Sequence, residues 1–226
     1  MVLTRLTEPA DYARRRQELA EAEMALMEQR ERVAALRRGL GEGVAVEDYV
    51  FFEGPPSLEK GDEARPVRLS ELFGSPDRAL VVYHLMFGKA QTSPCPMCTL
   101  WVDGLNAVAH HLAQNVDVAV AAAADVPTLR AHARARGWDR LRLLSCGESS
   151  FKYDLGSEDG EGNQDSTVSV FTLGADGAPR HFYSAHPAFT PAVRERGIDL
   201  LCPVWHVLDL TPAGRGDWYA QLDYGR

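Results

Sequence analysis

The chain has 226 residues, of which 45% are hydrophobic and 25% are charged, the composition of an ordinary globular protein. Its formal net charge of -8 disfavours nucleic acid and anionic membranes as partners, because both require a basic surface that binds phosphate. We therefore expect a small molecule or another protein as the partner, and neither nucleic acid nor a membrane.

The opening residues, M-V-L-T-R-L-T-E-P-A, lack the apolar run that a secretory signal peptide needs. No later segment approaches the roughly 18 consecutive apolar residues of a membrane-spanning helix. The four cysteines are too few for a disulfide-stabilised scaffold. These features lead us to expect a cytoplasmic protein, in which ordinary thiols stay reduced.

A stretch rich in Glu, Arg, Ala and Leu occupies residues 8–40 and predicts one long helix. Apolar side chains recur in it every seven residues, at Tyr12, Leu19, Leu26, Val33 and Leu40. Such a stripe is covered either by the rest of the chain or by a second subunit. We expect the arm of residues 1–43 to pair with a second copy, which gives a homodimer.

Strands and helices alternate through the middle of the chain. Strands are predicted at 46–56, 79–87, 117–124 and 141–144, helices at 70–74, 96–114 and 127–137, and a β-hairpin at 167–173 and 180–184. This order predicts an α/β fold with a partly parallel sheet. The acidic, glycine-rich segment 156–165 predicts a mobile loop, and residues 197–226 a short helix and a loose tail.

The segment T-S-P-C-P-M-C-T-L-W, residues 92–101, follows a buried strand and opens a helix. Cys95 falls at or beside the N-cap, and Pro96 falls at the first helical position, where proline is well tolerated. The Cys95 sulfur then faces unsatisfied N–H groups and the positive end of the helix dipole, which favours the thiolate. Cys98 lies one turn later, within disulfide reach. Cys95 is therefore predicted to attack a disulfide and Cys98 to resolve it.

Other interpretations of the cysteines remain open. Two cysteines at this spacing can form half of a zinc site, but the other potential ligands, such as His110, His111 and Cys146, are scattered, so we expect no metal and no cofactor. The pair can also be purely structural, within a non-catalytic interaction module. Cys146 and Cys202 stand alone beside apolar residues and are predicted to be structural.

Two further side chains near the motif are candidates for a supporting role. His84 lies near the end of the strand that precedes the motif, so it is either a proton-transfer group or a hydrogen-bonded core histidine. Trp101 lies on the helix that follows and is predicted to form part of the core or a pocket wall.

Several motifs resemble the thioredoxin-like family catalogued as domain of unknown function 899, which is often labelled a predicted dithiol–disulfide oxidoreductase family. They are D-Y-V-F-F-E-G-P, V-R-L-S-E-L-F, V-V-Y-H-L-M-F, C-P-M-C-T-L-W-V-D-G-L, F-K-Y-D-L-G and L-D-L-T-P-A-G-R, and they cover most of the chain. The resemblance implies a thioredoxin-like three-layer sandwich at residues 44–210, preceded by the helical arm and followed by a tail at 211–226. The chemistry of the cysteine pair itself predicts a protein or small-molecule disulfide, or a peroxide, as the partner.

Two features depart from thioredoxin proper. Thioredoxins place a cis-proline before the hairpin strand, where this chain has Ser166 and Thr167. In addition, T-S-P-C resembles the T-x-x-C of peroxiredoxins, in which the threonine hydroxyl helps to hold peroxide, and Thr92 matches that threonine. The resemblance therefore leaves an alternative function, a thiol peroxidase with Cys95 as the peroxidatic and Cys98 as the resolving cysteine.

Overall fold

A computed structural model describes residues 7–187 and 197–225. The chain divides into two compact units, Met1–Gly41 and Glu42–Arg226. The division falls two residues before the predicted end of the arm at residue 43. Among the described residues, no helix combines the length and the apolar character needed to cross a bilayer.

The described part of the first unit, residues 7–41, contains one helix, α1 (Ala10–Arg38), as the sequence predicts. No side chain of α1 is buried. Tyr12, Leu19 and Leu26 are each more than half exposed, at 56%, 57% and 51%. Exposed ion pairs such as Arg14 with Glu18 contribute only about 0.5 kcal/mol each, so they do not offset the exposed apolar stripe.

Because this apolar stripe is exposed, the homodimer stays a prediction. We expect Leu19→Gln combined with Leu26→Gln to convert a dimer into a monomer in sedimentation, because each buried leucine contributes roughly 1.5–3 kcal/mol. Glu21→Gln combined with Glu28→Gln is the matched control, because these side chains lie about 200° around the helix from the leucines. A wild-type chain that is monomeric at micromolar concentration would exclude the dimer.

Within its described residues, the second unit contains an eight-stranded sheet. Its strands are β1 (Val44–Ala45), β2 (Val50–Glu53), β3 (Arg65–Arg68), β4 (Leu80–Leu85), β5 (Asp117–Ala122), β6 (Arg142–Ser145), β7 (Thr167–Leu173) and β8 (Pro179–Ala185). They lie in the order β1-β8-β7-β4-β5-β6-β2-β3. The central strands β4, β5 and β6 are parallel, whereas β7 pairs antiparallel with β4 and β8.

The helices of this unit are α2 (Pro96–Leu112), α3 (Val126–Arg136), α4 (Phe151–Asp154) and α5 (Val204–Leu208), with 3-10 turns at Leu69–Leu72 and Asp199–Leu201. Most follow the sequence-based expectations. β3 and α4 were not predicted, because each has only four residues and Pro66 interrupts the strand pattern. Proline is tolerated there because β3 lies at the edge of the sheet.

Two cores lie on opposite faces of the sheet because successive side chains of β4 alternate. On one face, Tyr83 and Leu85 pack with α2, α3 and α5. On the other, Leu80 and Val82 pack with aromatic residues that include Phe151 of α4. The parallel strands, the antiparallel hairpin and these layers confirm an α/β thioredoxin-like sandwich with an added N-terminal helix. The second face is covered by single helical turns rather than long helices.

Two segments are better ordered than their composition suggests. In the segment 156–165, Glu158 forms an ion pair with Lys89, and the Asp159 carboxylate accepts backbone N–H groups, so hydrogen bonds replace the expected mobile loop. In the tail 211–226, Ala220 is buried in the first core and Trp218 packs against it. The tail is therefore part of the second unit, beyond the predicted domain end at 210.

Candidate active site at the start of helix α2

Cys95 and Pro96 define the start of α2 as the sequence predicts. Cys95 is the N-cap in an extended conformation, and Pro96 occupies the first helical position. The Cys98 N–H donates to the Cys95 Sγ at 3.5 Å, and the Cys95 N–H donates to the Met86 carbonyl at 3.0 Å. The Cys95 sulfur thus lies at the helix N-terminus, tied to the end of β4, where a thiolate is stabilised.

Cys98 lies behind Cys95 and is fully buried, whereas Cys95 is partly exposed. Both are thiols rather than halves of a disulfide. Burial raises the pKa of the Cys98 thiol well above its usual value, and the neighbouring Cys95 raises it further, while Tyr83 and the Met86 backbone act in the opposite direction. Cys95 is therefore accessible to solvent, and burial favours the protonated form of Cys98.

This arrangement predicts the order of alkylation. We expect iodoacetamide at mildly acidic pH to modify Cys95 before Cys98, because Cys95 is accessible and the raised pKa of Cys98 keeps it protonated. Mass spectrometry of the labelled peptides measures the order. Earlier labelling of Cys98 would reverse the two roles.

The loop between β4 and α2 is held by close backbone contacts. Gly88 has φ +103°, and a Cβ there would lie 2.1 Å from the Ala124 nitrogen, so a side chain cannot be accommodated. The Gly88 N–H donates to the Gln91 carbonyl at 2.7 Å. Thr92 follows in the same loop and is exposed. The backbone of the loop is therefore held closely at Gly88, and the Thr92 side chain is exposed.

Ser166 and Thr167 lie where β7 begins, and both are buried. Thr167 pairs with His84 in the register between β4 and β7. Ser166 lies beside the hydroxyl of Tyr83, a residue that the sequence analysis did not single out. Ser166 is thus brought near the cysteine pair through Tyr83.

Tyr83 is a fully buried residue of β4. Its hydroxyl lies beside the Cys98 thiol and Ser166, yet it completes no short hydrogen bond within the part of the chain that the structure describes. Burial raises the pKa of this hydroxyl well above its usual value, and Cys98 raises it further, so the group stays protonated. A protonated donor therefore lies beside the Cys98 thiol.

Lys152 is a second buried group near the cysteines that the sequence analysis missed. Its side chain is 1% exposed, and its Nζ donates to the Leu85 carbonyl at 3.0 Å. Burial lowers the pKa of Lys152, while Cys146, Cys98 and acidic residues nearby favour its charged form. Burial of an amine costs free energy unless its hydrogen bonds and charge are compensated, and here the Leu85 carbonyl and nearby thiols lie beside it.

Thr99 and His132 extend the site on the helical side. The Thr99 hydroxyl donates to the Cys95 carbonyl at 3.0 Å and lies 3.3 Å from His132 Nε2. Burial lowers the pKa of His132, and the charge of Arg136 lowers it further. A neutral imidazole therefore lies one hydrogen bond from the first turn of α2.

His84 lies on the opposite face of the sheet from Tyr83. Its Nδ1 is 2.6 Å from the Ser157 hydroxyl, and its ring stacks on Phe151 at a centroid distance of 4.8 Å. Burial lowers the pKa of His84 well below its usual value. This environment matches the core-histidine interpretation and does not bring His84 to the cysteine pair.

Trp101 is buried beneath the site, as the sequence predicts for a core residue. Its ring packs against Tyr83 at 6.2 Å and against Trp205 at 5.7 Å between centroids. Trp101 therefore packs against Tyr83 and helps to hold it beside Cys98.

The remaining cysteines are buried away from solvent. Burial raises the pKa of Cys146 to about 12 and also raises the pKa of Cys202. Both therefore remain thiols at neutral pH. Within residues 7–187 and 197–225, no three His, Cys, Asp or Glu side chains group in a way that could hold a metal ion.

Comparisons with known proteins place the chain in a family. No curated protein matches it. Among solved structures, it is similar to reduced Prx3 from Vibrio vulnificus in complex with H2O2, with 17% identity and a TM-score of 0.48, over 69% of this chain and 94% of that one. It is also similar to peroxidoxin BcpB from Mycobacterium tuberculosis, with 19% identity and a TM-score of 0.48, over 66% and 87%. The model of the family described as bacterial protein of unknown function (DUF899) matches residues 1–224, and the chain belongs to that family.

Proposed function

We propose that this protein is a thiol–disulfide oxidoreductase that uses Cys95 and Cys98. The observation that carries the proposal is the paired placement of the two sulfurs. Cys95 is partly exposed at the start of α2, and Cys98, one turn later, is fully buried and donates its N–H to the Cys95 Sγ. An accessible nucleophile backed by a protected second thiol suits attack followed by resolution.

The proposed reaction has two steps. The Cys95 thiolate attacks a substrate disulfide RSSR′, forms a mixed disulfide Cys95–S–S–R, and releases R′S⁻, which takes up a proton. Cys98 then loses its proton and attacks the Cys95 Sγ, which releases RS⁻ that is protonated in turn. The net change is oxidation of the protein dithiol to a disulfide and reduction of RSSR′ to two thiols, and a dithiol reductant reverses it.

The substrate proposed is a protein or small-molecule disulfide, in a reducing compartment such as the cytoplasm. A peroxide would use the same pair differently. It would oxidise Cys95 to a sulfenic acid. The Cys98 thiol would then condense with this sulfenic acid to give the same disulfide and water. The two functions therefore differ in the oxidant and share the product.

The test compares oxidants on the reduced protein. We expect oxidised glutathione or a protein disulfide to oxidise the pair in stoichiometric amounts and faster than hydrogen peroxide at equal concentration. The loss of free thiols with time measures the rate of oxidation. Preferential oxidation by peroxide would establish the peroxidase instead. Reaction with neither oxidant would favour the non-catalytic interaction module.

A further inference from the structure

The end of strand β4 directs three groups toward the cysteine pair. The Met86 carbonyl holds the Cys95 N–H at 3.0 Å, and the Leu85 carbonyl holds the Lys152 amine at 3.0 Å. Tyr83 of the same strand is fully buried in one core cluster with Cys98, and its hydroxyl lies beside the Cys98 thiol. We propose that Tyr83 and Lys152 form a site that stabilises the Cys98 thiolate, an inference that rests on the proposed role of Cys98 as the resolving thiol.

Tyr83 is the catalytic residue of this site because it lies beside the reacting sulfur. Its hydroxyl is fully buried and lacks a short hydrogen bond among the described residues while Cys98 is a thiol. A buried donor without a hydrogen bond costs free energy. That free energy is regained when a strong acceptor forms beside the donor. A thiolate at Cys98 is such an acceptor, so the hydroxyl is satisfied in the reactive state.

Lys152 is a positioning residue that acts through its charge. Its hydrogen bond to the Leu85 carbonyl fixes the amine two residues along β4 from Tyr83. In the ammonium form it is a buried cation near Cys98, and in a medium of low dielectric constant such a cation favours an anion strongly.

Charged and titratable groups surround Cys98, Lys152 and Tyr83. Cys98 faces Cys95 and Tyr83, in addition to Lys152. Lys152 faces three kinds of neighbour, which are the thiols of Cys146 and Cys98, the acids Glu158 and Asp165, and the imidazole of His84. Tyr83 faces Cys98, Cys95 and Ser166. Among these groups, Lys152 is the only one that can carry positive charge beside Cys98, since burial keeps His84 neutral.

The stabilised step is the second half of the reaction. Cys98–SH and Cys95–S–S–R become Cys95–S–S–Cys98 and RSH. One S–S bond forms as another breaks, and the proton lost by Cys98 balances the proton gained by the departing thiolate. Tyr83 and Lys152 stabilise the charge on Cys98 before its electron pair forms the new bond, and neither is consumed.

A two-phase thiol assay separates this step from the first. With 5,5′-dithiobis(2-nitrobenzoic acid), attack by Cys95 releases one coloured thiolate and resolution by Cys98 releases the second. We expect Tyr83→Phe to slow the second phase about tenfold and leave the first within twofold, because a hydrogen bond to a charged group is lost. Lys152→Met should act in the same direction. Tyr49→Phe, which removes the hydroxyl of a buried tyrosine in the other core, is the control.

A second readout does not require oxidoreductase activity. In a Cys95→Ser background, the pH midpoint for alkylation of Cys98 should rise by about one unit on Tyr83→Phe or Lys152→Met, and stay unchanged on Tyr49→Phe. An unchanged midpoint, or equal slowing of both phases, would overturn the assignment of Tyr83 and Lys152. A wild-type protein with no second phase would instead refute the proposed oxidoreductase, while the alkylation midpoints still decide the role of Tyr83 and Lys152.

Discussion

Cys98→Ser is expected to trap the protein as a mixed disulfide with its substrate, because Cys95 still attacks and nothing resolves the product. Cys95→Ser is expected to form no mixed disulfide, since the buried Cys98 cannot reach a substrate. Turnover of a disulfide substrate should fall by a factor on the order of 10³ or more in both variants. Non-reducing electrophoresis and mass spectrometry measure the trapped species, and a kinetic assay measures turnover.

Cys202→Ala is the matched control for these variants. Cys202 is also a buried thiol whose pKa is raised by burial, but it lies outside the pair. It should keep full turnover and trap nothing. Equal loss of activity in Cys202→Ala, or trapping by Cys95→Ser, would contradict the assigned roles.

Among the variants proposed, Arg130→Met is expected to lower the free energy of unfolding the most. The Arg130 side chain is buried, and its guanidinium donates to the Pro55 carbonyl at 2.7 Å and to the Ser57 carbonyl at 2.8 Å, as well as to the Asp62 carboxylate. The segment after β2 is thereby fastened to α3. Removing one member of such a buried network costs about 3–5 kcal/mol, because its partners lose their hydrogen bonds.

Arg134→Met provides the comparison for Arg130. Arg134 binds the same Asp62 from the next turn of α3, but its side chain is 39% exposed. Water can replace its hydrogen bonds, so we expect a much smaller shift of the urea midpoint than for Arg130→Met. Equal shifts for the two variants would show that burial of Arg130 does not matter.

The sequence predicts the elements that carry strong local signals. The apolar run at 79–87 becomes β4, and the Cys95–Pro96 start becomes the first turn of α2. Weak local signals account for the misses, since β3 and α4 have only four residues each and depend on tertiary pairing. The acidic segment 156–165 has a disordered composition, yet long-range contacts such as Glu158 with Lys89 hold it.

The site is predictable only in part for a related reason. The two cysteines are visible in the sequence because their spacing and their place before a helix carry the chemistry. In the sequence, Tyr83 occurs within an apolar strand, which predicts an ordinary core residue. Lys152 is a charged residue, which predicts a side chain exposed to solvent. Their relation to Cys98 arises from the packing of β4, α2 and α4, over sequence separations that no local pattern encodes.

The most direct test of the redox couple is disulfide mapping after equilibration with glutathione. The protein is held at a series of glutathione ratios, its remaining thiols are blocked, and the digested peptides are weighed. The expected result is one reversible disulfide that joins Cys95 to Cys98, with Cys146 and Cys202 blocked as thiols throughout. A pair that stays reduced at every ratio, or a disulfide that joins other cysteines, would contradict the proposed function.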